Sequence, residues 1–342
     1  VFFDPSNADD PNQDGTREHP LDNWEQITFS ANTTYLLKRG TTMEVGEISF
    51  DDMNNVVIGV YGTGEKPRVN SNYMVVRGCN GFTFKDIEIY FTGSDGLRFH
   101  SDYSNRNIEV NNVDLHSGEW EVDAENIGIS GQAYNLKISN CEIYNIYRDG
   151  IYFSYSLNID IENCFIHDVN QLYMVEPDKA GGDCMQLIGC DSVTIKNSVF
   201  DRSNTGRKFA VIFTSDPEHA VIEDNHFIGP DNTEYGGASL FISGNDFTVR
   251  RNLFENSPVG VYTHASGSLI SNNKFINTST GIHVANHGPD VFNNVFYDNQ
   301  IAVYSWSRPA VIKNNVAYLT SPEDTSFHVS EERWFNPMQL SR

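Results

Sequence analysis

The sequence predicts an all-β fold: a single-stranded parallel β-helix with an N-terminal cap and inserted loops. Three observations predict it. One short phrase recurs: an apolar strand, Asn-Asn or Asn-Cys, a second apolar strand, a turn, then Gly and a third alternating strand. The phrase returns roughly every two dozen residues, longer where a loop is inserted. No helical stretch lies between the copies. It reads Ile138-Ser139-Asn140-Cys141-Glu142-Ile143, and again from Ile161, Ile195, Ile222, Val249, Ile270, Val291 and Ile312. In such a solenoid, equivalent positions of successive coils stack about 4.8 Å apart. Cys141 and Cys164 hold the same place in the phrase, so they should be one strand spacing apart.

The elements follow in chain order. Residues 1–55 read as an N-terminal cap with the first strands: Val1-Phe2-Phe3-Asp4-Pro5, a polar run to Pro20, then Trp24-Glu25-Gln26-Ile27. A first strand and a short helix would plug the open end of the core, since an uncapped coil exposes strand edges. Coils occupy 56–318. The polar tail 319–342 breaks the repeat and should cover the other end. One domain accounts for the whole chain. Loops are inserted at 116–125 (Glu119, Trp120, Glu121, Asp123) and 169–182 (Tyr173, Glu176, Asp178, Lys179), with shorter excursions at 203–208 and 229–236. Loops of consecutive coils would line one wall of a groove, where function tends to sit.

The formal net charge is −23. A nucleic-acid groove needs a basic surface, so that partner is not expected. An anionic polymer is compatible, because a local basic cluster or bound cation reverses the field in one groove. No stretch approaches the roughly 20 apolar residues of a membrane span. The chain starts at Val1 without Met, which suits a processed leader and a secreted or periplasmic monomer. The five cysteines are an odd number; they are either stacked free thiols of a solenoid core or partly disulfide-bonded.

Aligning the third strands on their Gly-plus-apolar signature gives Asp95-Gly-Leu-Arg-Phe-His100, Glu125-Asn-Ile-Gly-Ile-Ser130, Asp149-Gly-Ile-Tyr-Phe-Ser154, Asp183-Cys-Met-Gln-Leu-Ile188 and Phe209-Ala-Val-Ile-Phe-Thr214. Val259-Gly-Val-Tyr-Thr-His264, Thr280-Gly-Ile-His-Val-Ala285 and Ile301-Ala-Val-Tyr-Ser-Trp306 follow. Strand side chains alternate. Leu97/Phe99, Ile127/Ile129, Ile151/Phe153, Met185/Leu187 and Val211/Phe213 therefore face inward. Arg98, His100, Tyr152, Gln186, Tyr262, His264, His283, Tyr304 and Trp306 face out on one sheet. Such a row suits stacking on sugar rings; it is also what strand propensity and mutual ring stacking would give.

Asp95, Glu125, Asp149 and Asp183 form a second row at the strand starts. Four like charges so close need compensation. They could hold Ca²⁺, which wants carboxylate oxygens. They could form an acid/base pair with split pKa values, or accept turn N–H groups structurally. Arg148, Lys179, Arg207 and Lys208 converge on the same mouth, as functional cations or as salt-bridge partners of the acids.

The coil periodicity and Asn turns resemble the right-handed parallel β-helix superfamily of polysaccharide lyases, glycoside hydrolases and uronate epimerases. Gly182-Asp183-Cys184-Met185-Gln186-Leu187, with Asp201-Arg202-Ser203-Asn204-Thr205-Gly206-Arg207-Lys208-Phe209, is similar to alginate-lyase-like members. The resemblance implies β-elimination on a uronate of an acidic polysaccharide, with Ca²⁺ or Arg neutralising the substrate carboxylate. Lys179 and Lys208 are then candidate bases, Arg207 and Arg148 candidate carboxylate clamps, and Tyr152 and His100 reserve proton donors. Glu125, Asp149 and Asp183 would be the cation ligands. The remaining outward residues, from Arg98 and Gln186 to Trp306, would bind substrate. Polygalacturonase-type hydrolases are the rival. Arg148-Asp149-Gly150-Ile151 and Asp183-Cys184-Met185 echo two of their motifs, but Gly182 replaces the first Asp of a pair and the later motifs are missing. An epimerase or a non-catalytic glycan-binding β-helix also stays open.

Overall fold

The computed structural model describes residues 1–118, 126–169, 181–204, 209–230, 237–285, 288–306, 311–321 and 323–329. Each coil contributes one strand to each of three parallel sheets of 13, 12 and 12 strands. Tyr134–Ser139, Glu142–Tyr144 and Ile151–Ser154 make one such coil, in sheets 1, 2 and 3 respectively. Every strand between the sheet ends pairs with the equivalent strand of the coil before and after it. The chain is thus a right-handed parallel β-helix.

The corner between sheets 1 and 2 explains the repeating asparagines. Its first residue has a left-handed backbone: φ is 56° at Asn140, 54° at Asn163, 52° at Asn197, 57° at Asn272 and 54° at Asn293. Among side-chain-bearing residues Asn tolerates that region best. The second residue points inward. Cys141 and Cys164 occupy it in adjacent coils, since Ser139 pairs with Glu162 and Glu142 with Phe165. All five cysteines are free and buried.

Further on, the inward residue is Asn225, Asn252, Asn273, Asn294 and Asn315. They form a ladder in which each Nδ2 donates to the next Oδ1 at 3.0–3.1 Å. Each Nδ2 also donates to a backbone carbonyl of the coil before. A column of rings runs beside the ladder: Phe200, Phe227, Phe254, Phe275 and Phe296 stack with centroids 4.7–5.1 Å apart. Each stacked pair adds about 0.5–1.5 kcal/mol beyond its area burial.

The N-terminal residues pack against the first coil. Phe2–Phe3 extends sheet 1, and the short helix is one 3₁₀ turn, Trp24–Gln26, closed by an Asn23/Gln26 capping box. Trp24 is 1% exposed and packs edge-on against Phe3, Phe29 and Phe50. Thr34–Lys38, Thr42–Glu44 and Glu47–Asp51 already form a complete coil inside the 1–55 segment. At the other end Thr325–Val329 closes sheet 3. The predicted loops fall at the corner between sheets 2 and 3; residues 119–125, 170–180, 205–208 and 231–236 lie outside the described residues.

Candidate functional site

Sheet 3 offers one outward position per strand, and register stacks these into a row. The row runs Arg98, Ser130, Tyr152, Gln186, Ile212, Phe241, Tyr262, His283, Tyr304, His328. His100, His264 and Trp306 stand two residues further on, just past the ends of their strands. Leu97, Phe99, Ile151, Phe153, Met185, Leu187, Val211 and Phe213 all face the core.

Two parts of the alignment are corrected. The residue level with Asp95 is Ile127, and Leu97 pairs with Ile129. Gly96, Gly128 and Gly150 share one position, each so close to the next backbone that a Cβ on Gly128 would lie 2.5 Å from the Gly150 carbonyl oxygen. The equivalent of Gly96 is therefore Gly128, two residues beyond the Asn126 that the sequence alignment chose. Glu125 itself lies outside the described residues. Secondly, the coil containing Ala238–Ile242 was missing from the alignment; it places Phe241 between Ile212 and Tyr262.

A cavity of about 780 Å³ opens on this face. Arg148, Asp183 and Gln186 line its polar end; Phe241, Tyr262 and His264 line its aromatic end, with Phe209 and Ile212 between them. From Gln186 to Tyr262 is three rungs, about 14 Å. Arg98 and His100 are not part of the cavity. Arg98 is three rungs from Gln186 on the far side and pairs with Asp95 at 3.6 Å. His100 lies edge-on to Tyr103. Tyr152 is one rung from Gln186. Lys179, Arg207 and Lys208 lie outside the described residues.

The aromatic end is a continuous stack. Phe241 and Tyr262 are near parallel with centroids 5.4 Å apart. His283 contacts Tyr262 at 4.4 Å and Tyr304 at 4.9 Å. Trp306, half exposed, donates Nε1–H to the Tyr304 hydroxyl at 2.6 Å. Burial lowers the pKa of His264, and burial together with His264 lowers that of His283 to about 4. Both imidazoles are neutral near pH 7. Burial raises the Tyr262 pKa, so its phenol stays protonated.

The acids first serve the backbone. Asp149 is fully buried; its Oδ1 accepts the Asp183 N–H at 2.8 Å and its Oδ2 faces Arg148 Nε at 3.3 Å. Asp183 Oδ1 in turn accepts the Phe209 N–H at 2.9 Å. Of the two, only Asp183 reaches the cavity. Gly182 cannot be an Asp here, since its Cβ would lie 2.2 Å from the Arg148 carbonyl oxygen. A residue the sequence reading passed over sits behind them. Arg202 is 4% exposed, beside Asp183 and Cys184, and burial lowers its pKa. Its position directly after a sheet 2 strand, Val199–Asp201, was the available signal.

The fold and the groove define a parallel β-helix with an open amphipathic cleft on one sheet. Within that class the chain belongs to the NosD family: residues 122–318 match the model described as "Periplasmic copper-binding protein (NosD)". No curated protein sequence matches it. Among solved structures it is similar to a GH136 lacto-N-biosidase from Eubacterium ramulus (TM-score 0.62, 15% identity, 96% of this chain and 67% of that one). It is also similar to a mannuronic acid specific polysaccharide family 6 lyase from human gut microbiota (0.56, 14%, 89% and 87%). The Dettilon tailspike protein is a third (0.55, 12%, 87% and 62%). The chain thus spans about two thirds of the first and third of these proteins.

Among the described residues no three His, Cys, Asp or Glu side chains converge where they could hold a metal ion. The cysteines lie in the core, with burial raising the Cys184 and Cys190 thiols. These residues do not fit a copper centre. Asp149 and Asp183, tied to backbone N–H groups, do not by themselves make a calcium site.

Proposed function

We propose that the protein is a periplasmic or secreted enzyme that cleaves an acidic, uronate-containing polysaccharide by β-elimination, with alginate the first substrate to test. The observation that carries this reading is the cavity with a guanidinium at one end and an aromatic stack at the other. Sugar rings have apolar C–H faces that suit Phe241 and Tyr262, and a uronate adds a carboxylate that suits Arg148. The family's periplasmic description supports the location, and the polysaccharide-acting structural neighbours support a glycan substrate.

In this mechanism Arg148, with Arg207, holds the substrate carboxylate and makes the adjacent C5 proton acidic. Lys179 or Lys208 removes that proton. The C4–O bond breaks, a C4=C5 double bond forms, and the leaving oxygen takes a proton from Tyr152 or solvent. His100 is too far along the row to act on the same sugar and serves a neighbouring one. Asp183 positions the strand start at Phe209 and flanks the clamp. A groove cation is not needed for this scheme, because arginine performs the neutralisation.

The test is incubation with a panel of uronate polymers, followed by ultraviolet absorbance and reducing-end assay. Unsaturated product is the expected result. Reducing ends without ultraviolet absorbance would mean hydrolysis through carboxylates such as Asp183. A changed uronate ratio without cleavage would mean epimerisation, and binding alone would mean a glycan-binding β-helix.

A further inference from the structure

A second cavity, of about 250 Å³, opens at the corner between sheets 2 and 3 in the last coils. Its floor is a short side-chain ladder. Asn256, Asn277 and Asp298 occupy one position of three successive coils, because Glu255, Ile276 and Tyr297 are in register. All three have left-handed backbones, with φ of 55°, 50° and 56°. Asn277 Nδ2 donates to Asn256 Oδ1 at 2.8 Å. In such a ladder the remaining amide oxygen serves the next rung. That rung is Asp298, a carboxylate with no N–H to give, which itself accepts the Thr320 hydroxyl. The amide ladder therefore ends at this carboxylate.

Asn299, next in the chain, lines the same cavity and is 1% exposed. Its Nδ2 donates to the Thr278 carbonyl oxygen at 3.1 Å and contacts the Thr278 hydroxyl. A carbonyl can only accept, so the amide orientation is fixed. Its Oδ1 is buried and has no hydrogen-bond partner. Asp324 also lines the cavity; its carboxylate accepts the Ser321 N–H at 2.8 Å. Every polar lining group is an amide, hydroxyl, carboxylate or backbone group, and no basic side chain lines the cavity among the described residues.

From this geometry we propose that the corner binds one hard divalent cation, Ca²⁺, through the Asp298 and Asp324 carboxylates and the Asn277 and Asn299 amide oxygens. A water molecule could satisfy Asn299, but it would not offset two carboxylates in a chain of net charge −23. Oxygen-only donors from several coils suit the variable coordination of Ca²⁺ better than the strict octahedron of Mg²⁺ or the nitrogen and sulfur preference of copper. The ion ties the coils at 277 and 298 to Asp324. Its role is to hold the C-terminal end of the solenoid, independent of the groove.

The test uses the full chain, chelated and desalted, titrated with CaCl₂ by calorimetry and followed by thermal unfolding. One Ca²⁺ per chain is expected, with Kd in the roughly 10⁻⁴–10⁻³ M range of extracellular modules, and a rise in unfolding midpoint. Asp298→Asn and Asp324→Asn should each weaken binding at least about tenfold and abolish the rise. Asp298→Asn keeps the fold, because Asn suits the left-handed backbone and lengthens the ladder. Asp183→Asn should leave Ca²⁺ binding unchanged. Three results would overturn the proposal: neither heat nor a midpoint shift with excess Ca²⁺, binding indifferent to both corner variants, or binding lost in Asp183→Asn, which would move the ion to the groove.

Discussion

Replacing Asn273 by Ala tests the internal ladder, and the structure gives the size of the loss. Asn273 is 1% exposed. Its Oδ1 accepts the Asn252 backbone N–H at 2.9 Å and Asn252 Nδ2 at 3.0 Å. Its Nδ2 donates to the Val249 carbonyl at 2.9 Å and to Asn294 Oδ1 at 3.1 Å. After truncation Asn252 Nδ2 keeps the Ile222 and Arg250 carbonyls, and Asn294 Oδ1 keeps the Asn273 backbone N–H. The Asn252 N–H loses its partner and the Val249 carbonyl loses the amide donor. Each buried group left unmatched costs about 1–3 kcal/mol, so the two together should cost about 2–6 kcal/mol. Against a typical stability of about 5–15 kcal/mol that is a large fraction. Urea unfolding followed by circular dichroism measures it, with hydrogen exchange locating which coils open. The exposed neighbour Asn272→Ala should cost only about 1–2 kcal/mol, the price of a left-handed residue with a methyl group. A loss below about 1 kcal/mol for Asn273→Ala would show that the ladder is incidental to stability.

Arg148→Ala should lower kcat/KM on a uronate polymer about 10–100-fold, the worth of one charge-assisted hydrogen bond; an unchanged value would remove the clamp. His283 has its pKa lowered to about 4 from the usual 6.5. Folding therefore favours its neutral form, and that stability is complete above about pH 6.5 and lost as pH falls toward 4. His283→Phe should flatten this part of the pH–stability curve; an identical slope in the variant would show that other groups cause it. All five buried thiols should resist alkylation in the native protein and all five should react in denaturant, counted by mass spectrometry; a thiol labelled rapidly without denaturant would contradict its burial.

The fold was legible because its signal is repeated. Cys141 and Cys164, or the Ile/Phe pairs of sheet 3, align coil after coil, so one misread strand does not spoil the pattern. The groove was legible only in outline. Alternation of side chains is unchanged by a shift of two residues, so Ile127 and Ile129 both looked inward and Glu125 was placed beside Asp95. The close backbone approach at Gly128 decides between them, and it is a contact between coils. The coil at Ala238–Ile242 follows a loop insertion and breaks the spacing, which hid Phe241. Phe209 and Ile212 read as plain strand residues until the cavity placed them between Gln186 and Tyr262. Asp149 and Asp183 carried several readings because their hydrogen bonds run to N–H groups of the following coil, 34 and 26 residues away.

Between Asn252 and Asn315 the ladder advances by 21 residues per coil, three times in succession. Each of these coils brings its own Asn for the ladder, and those at Phe254, Phe275 and Phe296 bring their own ring for the column. A coil is therefore a self-contained unit of heredity as well as of structure. In-frame duplication or loss of one unit would re-form the same interfaces on both sides. Cleft length would then change in whole steps of about 4.8 Å. Descendants of such a gene could adjust the length of ligand they grip by counting coils, without redesigning a single contact.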